Sequence, residues 1–288
     1  MKLGYNTNGF AHHRLEDAIE ILAELGYRSV ALTLDHHALN PHAPDLLGRT
    51  AELRELLQFH RLAVVVETGA RFFLDARHKH QPTLISPTAE ERETRIDFLF
   101  DAIHVAAELG APAVSFWSGT PVDSVTPEVH MDRLANACLL LCQEADRKNV
   151  RLAFEPEPGM LVATMSDFVE LHRRVGHPRL GLTLDVGHLF CNVEASIPEV
   201  IHQFQGMLWN VHIEDMRRGV HDHLMFGEGE MDFAPILKAL QDINYEGGVH
   251  VELSRHSHDA VNAATRAREF LLAHGLPQVA VSAIPPAR

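Results

Sequence analysis

Residues 180–188 read LGLTLDVGH, an apolar run that closes on Asp185, with His188 three residues further on. The same shape recurs on either side. Residues 150–158 read VRLAFEPEP and reach Glu155, residues 208–215 read LWNVHIED and reach His212, and residues 248–253 read GVHVEL and reach Glu252. Longer segments with helical spacing lie between these short runs. Strands alternating with helical patterns argue for βα units and a parallel sheet.

Working outward, the alternation covers the chain. Strands are expected at Lys2–Asn8, Ser29–Leu34, Leu62–Thr68, Ala113–Trp117, Val150–Glu155, Leu180–Asp185, Leu208–Ile213 and Gly248–Leu253. Helices are expected near Arg14–Leu25, Asp45–His60, Thr88–Leu109, Pro127–Lys148, Ser166–Val175, Ile197–Phe204, Ala234–Asp242 and His258–His274. Gly26 and Gly110 close two of them as C-terminal signals. Eight such units in order predict an α/β fold, a single (β/α)₈ TIM barrel. The main alternative is an open, doubly wound sheet, usually of about five to seven strands. The 288 residues suffice, since such a barrel needs roughly 250. One domain is expected over residues 1–275. A C-terminal tail over 276–288 contains three prolines and no period.

Composition narrows the function. Hydrophobic residues make up 46% of the chain, enough for a large core. No apolar run reaches the roughly 18 residues of a membrane span, and the opening Met1-Lys2-Leu3-Gly4-Tyr5 enters a strand pattern with no signal peptide expected. Cys138, Cys142 and Cys191 give no disulfide framework, so a reducing cytoplasm is the expected location. The formal charge of −14 disfavours nucleic acid, whose phosphates need Lys and Arg. Homo-oligomerisation stays open. The 21 histidines largely reflect a composition bias, so their position relative to the strands has to sort them.

In a (β/α)₈ barrel the chemistry sits at the C-terminal ends of the strands. Four adjacent predicted strands end on Glu155, Asp185, His212 and Glu252. Neighbouring strand ends lie within about 5 Å, so three carboxylates there would repel one another without a cation. Three carboxylates and an imidazole favour Mn²⁺, Mg²⁺, Co²⁺ or Zn²⁺ over a thiolate-loving metal. A hydroxyketone bound to such a cation has a polarised carbonyl, and a carboxylate can remove the adjacent proton to give a stabilised enediolate. Return of the proton from the other face gives an epimer. Return to the neighbouring carbon gives an isomer.

The order Glu155, Asp185-x-x-His188, His212, Glu252 resembles the xylose-isomerase-like superfamily of barrels, over nearly the whole chain. That superfamily includes the D-tagatose 3-epimerase group and the AP-endonuclease type. The resemblance implies that Glu155 and Glu252 act as acid and base as well as ligands, and that His188 and Arg217 contact substrate. The epimerases resemble Glu-Pro-x-x-x-x-Glu after strand five. Here the later Glu is missing, and Glu157 stands as its partial replacement. The endonuclease type implies a further metal at positions matching His188, His221 and His223, with a polar loop or substrate contact as the alternatives. His221 and His223 would point the same way in an extended stretch. Trp117, at the end of strand four, is either a barrel-mouth aromatic or a platform for a sugar face. A metal-binding His stands near that position in the endonuclease type, so Trp117 argues against that activity. Glu67 ends strand three as a polar pocket wall. Gly227 and Gly229 shape a turn, and Asp232 caps the next helix.

The expected function is a divalent-metal-dependent isomerase or epimerase of a small sugar, keto-sugar or polyol. A lyase or dehydratase, an AP endonuclease and a non-catalytic sugar-binding barrel are the rivals.

Overall fold

The computed structural model describes residues 1–277. Of the tail expected at 276–288, all but the first two residues lie outside the described part. The strands of the barrel are β1 (Lys2–Asn6), β2 (Ser29–Thr33), β3 (Ala63–Glu67), β4 (Ala113–Phe116), β5 (Arg151–Phe154), β6 (Leu180–Asp185), β7 (Leu208–Ile213) and β10 (Gly248–Val251). They close in the order β1-β10-β7-β6-β5-β4-β3-β2, every neighbouring pair parallel. The helices are α1 (Leu15–Glu24), α2 (Leu46–Phe59), α3 (Ala89–Leu109), α4 (Pro127–Lys148), α5 (Met165–Val175), α6 (Val186–Cys191), α7 (Ile197–Phe204), α8 (Phe233–Asp242) and α9 (Ala260–Ala273). None among the described residues is long and apolar enough to cross a membrane.

Side chains alternate along each strand, and the two faces differ in chemistry. One face carries large apolar residues such as Val30, Leu32, Val64, Val66, Phe116 and Phe154, which join the helices in the main core. The other faces the barrel axis. Its lower layer is small: Ala31, Val65, Ala113 and Ala153 pack together with Trp209. Above it the axis turns polar, with Thr183 donating to Ser115 at 2.9 Å and Asn210 donating to Glu67 at 2.9 Å. Gly4 makes room here. A Cβ at Gly4 would overlap the His250 ring, and His250 spans from Ser29 to Asn210 across the barrel floor.

Most helix boundaries follow local chemistry. Thr88 and Glu91 form a reciprocal capping box at the start of α3, and Gly110 ends it in a left-handed conformation. Asp232 caps α8 by accepting from Ala234, as expected. Three elements depart from expectation. The end of the first predicted strand becomes a short 3₁₀ turn, Thr7–Phe10. The helix α6 follows β6 directly, with Asp185 as its N-cap. An antiparallel hairpin, β8 (Asp215–Arg217) and β9 (Val220–Leu224), rises after β7. Asp215 anchors the loop after this hairpin, accepting from the N–H groups of Met216, Gly227, Gly229 and Met231.

Candidate active site

The upper, axis-facing residues of β3, β5, β6, β7 and β10 meet at the C-terminal mouth. Glu155 follows β5 and Glu252 follows β10, so the two carboxylates approach from strands three places apart in the barrel order. One ligand atom from each of Glu155, Asp185, His212 and Glu252 lies within 4.8 Å of all the others. His212 is the centre of this group. Its Nδ1 lies 3.1 Å from Glu155 Oε1 and 3.0 Å from Glu252 Oε2. Its Nε2 lies 2.9 Å from Glu67 Oε1. Because β3 and β7 are diametrically opposed in the closed order, Glu67 reaches His212 straight across the axis.

That geometry assigns the ring. An Nε2–H donated to Glu67 leaves Nδ1 facing Glu155 and Glu252, the orientation of a metal-ligating histidine backed by a carboxylate. Asn210 reinforces Glu67 by donating to the same oxygen. His250 in turn donates Nδ1–H to Asn210 Oδ1 at 2.8 Å, and burial pushes this ring down to about 3, so it is neutral. Its Nε2 therefore accepts from the Ser29 hydroxyl at 2.8 Å.

The charges are crowded. Burial pushes the Glu155 carboxyl up to about 8, against the pull of His212 and with Glu252 and Asp185 adding to the rise. Burial also opposes ionisation of Glu252, but His212 outweighs it, helped by His223 and by the amide of Asn8 at 2.9 Å, and holds it below its ordinary range. Burial disfavours the His212 imidazolium, yet Glu67, Glu155 and Glu252 hold it well above its ordinary value. Asp185 Oδ1 accepts from the His188 backbone N–H at 2.9 Å, while Oδ2 is buried with no hydrogen-bond partner. Glu214 is fully buried beside it, also with neither oxygen hydrogen-bonded, and His223 Nδ1 lies 3.8 Å from Oε2. Burial, with Asp185 alongside, lifts the Glu214 carboxyl well above its usual range. Such oxygens need a proton or a cation between them. The donor set of carboxylates and one imidazole nitrogen therefore fits a hard or borderline divalent cation.

A second group adjoins the first. His188 donates Nδ1–H to the Pro156 carbonyl at 3.2 Å, and His223 donates Nδ1–H to the Glu252 carbonyl at 3.2 Å. Both rings thus turn Nε2 toward His221, at 3.0 and 3.3 Å. His221 and His223 lie on β9, and their side chains share a face as the extended spacing implied. Burial pushes His188 down to about 4 and also lowers His221, and the three imidazoles converge.

These groups open onto a cavity of about 510 Å³. Trp117 lines it, as does half-buried Glu157, whose carboxyl is lifted well above its ordinary range by burial and then by Glu155. Arg217, expected to contact substrate, stands apart from the cavity. It sits at the exposed end of β8, donates to the Glu228 carbonyl at 3.0 Å and does not line the cavity. The hairpin turns its side chain out to solvent. Four participants escaped sequence reasoning: Asn8, Asn210, Glu214 and His250. The period-two pattern of β7 and β10 placed Asn210 and His250 on the same face as His212 and Glu252, a signal that could have found them. Asn8 closes the first expected strand, and nothing comparable marked Glu214.

The model of the xylose isomerase-like TIM barrel family matches residues 19–274. The chain belongs to this family. Among xylose isomerase-like relatives, fructoselysine 3-epimerase of Shigella flexneri is 24% identical over 259 residues, 88% of this chain and 90% of the relative. Inosose dehydratase of Clostridium perfringens is 28% identical over 146 residues, 44% of this chain and 49% of the relative. The barrel superposes on D-allulose 3-epimerase from Methylomonas sp. with a TM-score of 0.76 at 19% identity, covering 95% of this chain and 98% of the other. It superposes on the IolI protein with a bound zinc atom with a TM-score of 0.75 at 19% identity, covering 95% and 98%.

Proposed function

We propose that the protein is a divalent-metal-dependent isomerase or epimerase of a small sugar, keto-sugar or related polyol. One observation carries the proposal: three carboxylates and His212 Nδ1 converge within 4.8 Å at the barrel mouth, with Glu67 bonded to the far side of the same imidazole. The named epimerase relatives and the zinc-bearing IolI structure support it.

Glu155, Asp185, His212 and Glu252 would hold the cation. When bound, it would polarise a substrate carbonyl and stabilise an enediolate. The remaining work falls to the chain. Glu252, kept ionised, takes a proton from the carbon beside the carbonyl. Glu155 returns one from the other side, which inverts the centre. His188 and Trp117 bound the space in which the sugar lies, and Glu157 adds a polar contact. Product analysis by NMR in D₂O tests this reading. A ketose should gain deuterium next to its carbonyl without losing water. Loss of water would identify a lyase, the activity named for the inosose dehydratase relative. Ligand binding with no exchange would identify a sugar-binding barrel.

Glu67 should matter although it lies behind the ligands. Glu67→Gln removes the charged acceptor that fixes the His212 tautomer. Metal affinity should fall by about 10- to 100-fold, read by titrating metal-stripped protein with Mn²⁺. Equal affinity in the variant would remove Glu67 from the account.

The His188, His221 and His223 group favours a second reading, a further cation facing three imidazole Nε2 atoms. If it holds a metal, native protein should carry about two per chain and His223→Ala should lose one, as expected for a three-ligand site. If it contacts substrate, the metal content stays constant and KM rises. Unchanged content and kinetics would leave only a polar loop.

A further inference from the structure

The segment between β3 and α3 crosses the cavity on the side opposite β7. It brings Arg71, Lys79 and His80 to the cavity wall. The chain carries a formal charge of −14, and many of its cations are held by carboxylates, as Arg133 is by Asp123 and Arg255 by Asp222. Arg71 and Lys79 form no such ion pair with a described residue, yet both face the same cavity. A third cation stands behind them. Arg95 is 1% exposed, donates one N–H to the Thr68 carbonyl at 2.8 Å, and lies 4.3 Å over the Trp117 ring. Its Nε and Nη1 have no hydrogen-bond partner. Thr68 and Trp117 both line the cavity.

The three cations share a neighbour. His80 donates Nδ1–H to the Gly69 carbonyl at 2.8 Å and meets Trp117 edge-on, 5.3 Å between ring centres. Burial pushes His80 down to about 4, and Lys79, Arg95 and Arg71 add to that fall. The cavity thus has a positive wall at the β3 side and a negative centre at Glu155, Asp185 and Glu252.

We propose that the substrate carries an anionic group, a phosphate or a carboxylate, remote from its reacting carbonyl, and that Arg71 and Lys79 bind it. This rests on the isomerase or epimerase reading. The chemistry is direct. A guanidinium and an ammonium are the side chains suited to such oxyanions, the first through paired N–H donors. A substrate anion approaching an acidic protein needs a local cationic wall to overcome the overall field. The two poles also fix direction: the carboxylates repel the anionic end, so the neutral hydroxyketone end meets them. A volume of about 510 Å³ leaves room for both ends, within the roughly 300–1,000 Å³ of sites for drug-sized ligands. The common phosphate site of (β/α)₈ enzymes follows strands seven and eight. Here the positive wall follows β3.

The test uses metal-loaded wild type, Arg71→Ala, Lys79→Ala and Arg71→Lys. Each is given a neutral ketose, its terminal phosphate and the matching keto-acid, with deuterium exchange as the readout. Calorimetric binding of the same three compounds runs in parallel. One of the two anionic compounds should exceed the neutral ketose at least about tenfold in kcat/KM. Which one does so distinguishes phosphate from carboxylate. Arg71→Ala should raise KM for that compound about tenfold with kcat unchanged, Lys79→Ala should act in the same direction, and Arg71→Lys should recover part of the loss. The preference for that compound over the neutral ketose should shrink accordingly. If the neutral ketose is used as well as both anionic forms and the variants change nothing, the anion site is wrong while the isomerase reading stands. If no compound exchanges deuterium but an anionic one binds and Arg71→Ala weakens it tenfold, the anion site stands and the isomerase reading falls.

Discussion

Glu155→Gln and Glu252→Gln should each lower turnover by about 10²- to 10⁴-fold, the usual cost of losing a general acid or base. The substitution keeps the size of the side chain and one ligating oxygen. It removes the group that carries the proton. Both glutamates stand at the mouth, each within 3.1 Å of the same His212 nitrogen, so the barrel should stay folded. The two variants should differ in what survives. If Glu252 takes the proton, Glu252→Gln should abolish exchange of the substrate C–H with D₂O. If Glu155 only returns it, Glu155→Gln should retain more exchange than net turnover. Exchange that depends on one glutamate alone would indicate a one-base isomerisation. Near-normal turnover in both variants, with metal bound, would place the base elsewhere.

Removal of the metal should abolish activity, and Mn²⁺, Co²⁺ or Mg²⁺ should restore at least part of it. Stability gives a readout separate from activity. A cation present at about 100 times its Kd adds about 2.7 kcal/mol to the folded state. Chelation should therefore lower the melting temperature by several degrees in wild type. An Asp185→Asn variant, which lacks one ligand charge, should show a smaller drop. Full activity in protein shown to be metal-free would end the proposal.

The barrel was legible because its strands repeat one pattern. Large apolar residues alternate with small or polar ones, and several runs close on or beside a polar residue, as Thr183-Leu184-Asp185 does. The same pattern exposed Glu67, Glu155, Asp185, His212 and Glu252. What stayed hidden had weaker signals. The helix α6 has six residues, too few for a helical period to register. The hairpin β8–β9 is built from polar residues around Gly219, so it lacks the apolar alternation of a buried strand. Arg95 lies within a helix, and only the fold places it behind Trp117. Glu214 follows β7 next to a ligand, where a surface position and a buried one read alike. Arg217 was assigned by resemblance alone, and the turn of the hairpin carries it to solvent.

The claim that Glu155, Asp185, His212 and Glu252 hold one divalent cation is tested most directly by anomalous X-ray diffraction from crystals grown with Mn²⁺. The account predicts a manganese peak bonded to a carboxylate oxygen of each of the three acidic residues and to Nδ1 of His212. It also predicts that Nε2 of that ring keeps its hydrogen bond to Glu67. A map without a peak among these four side chains, or with manganese bound only at His188, His221 and His223, would contradict it.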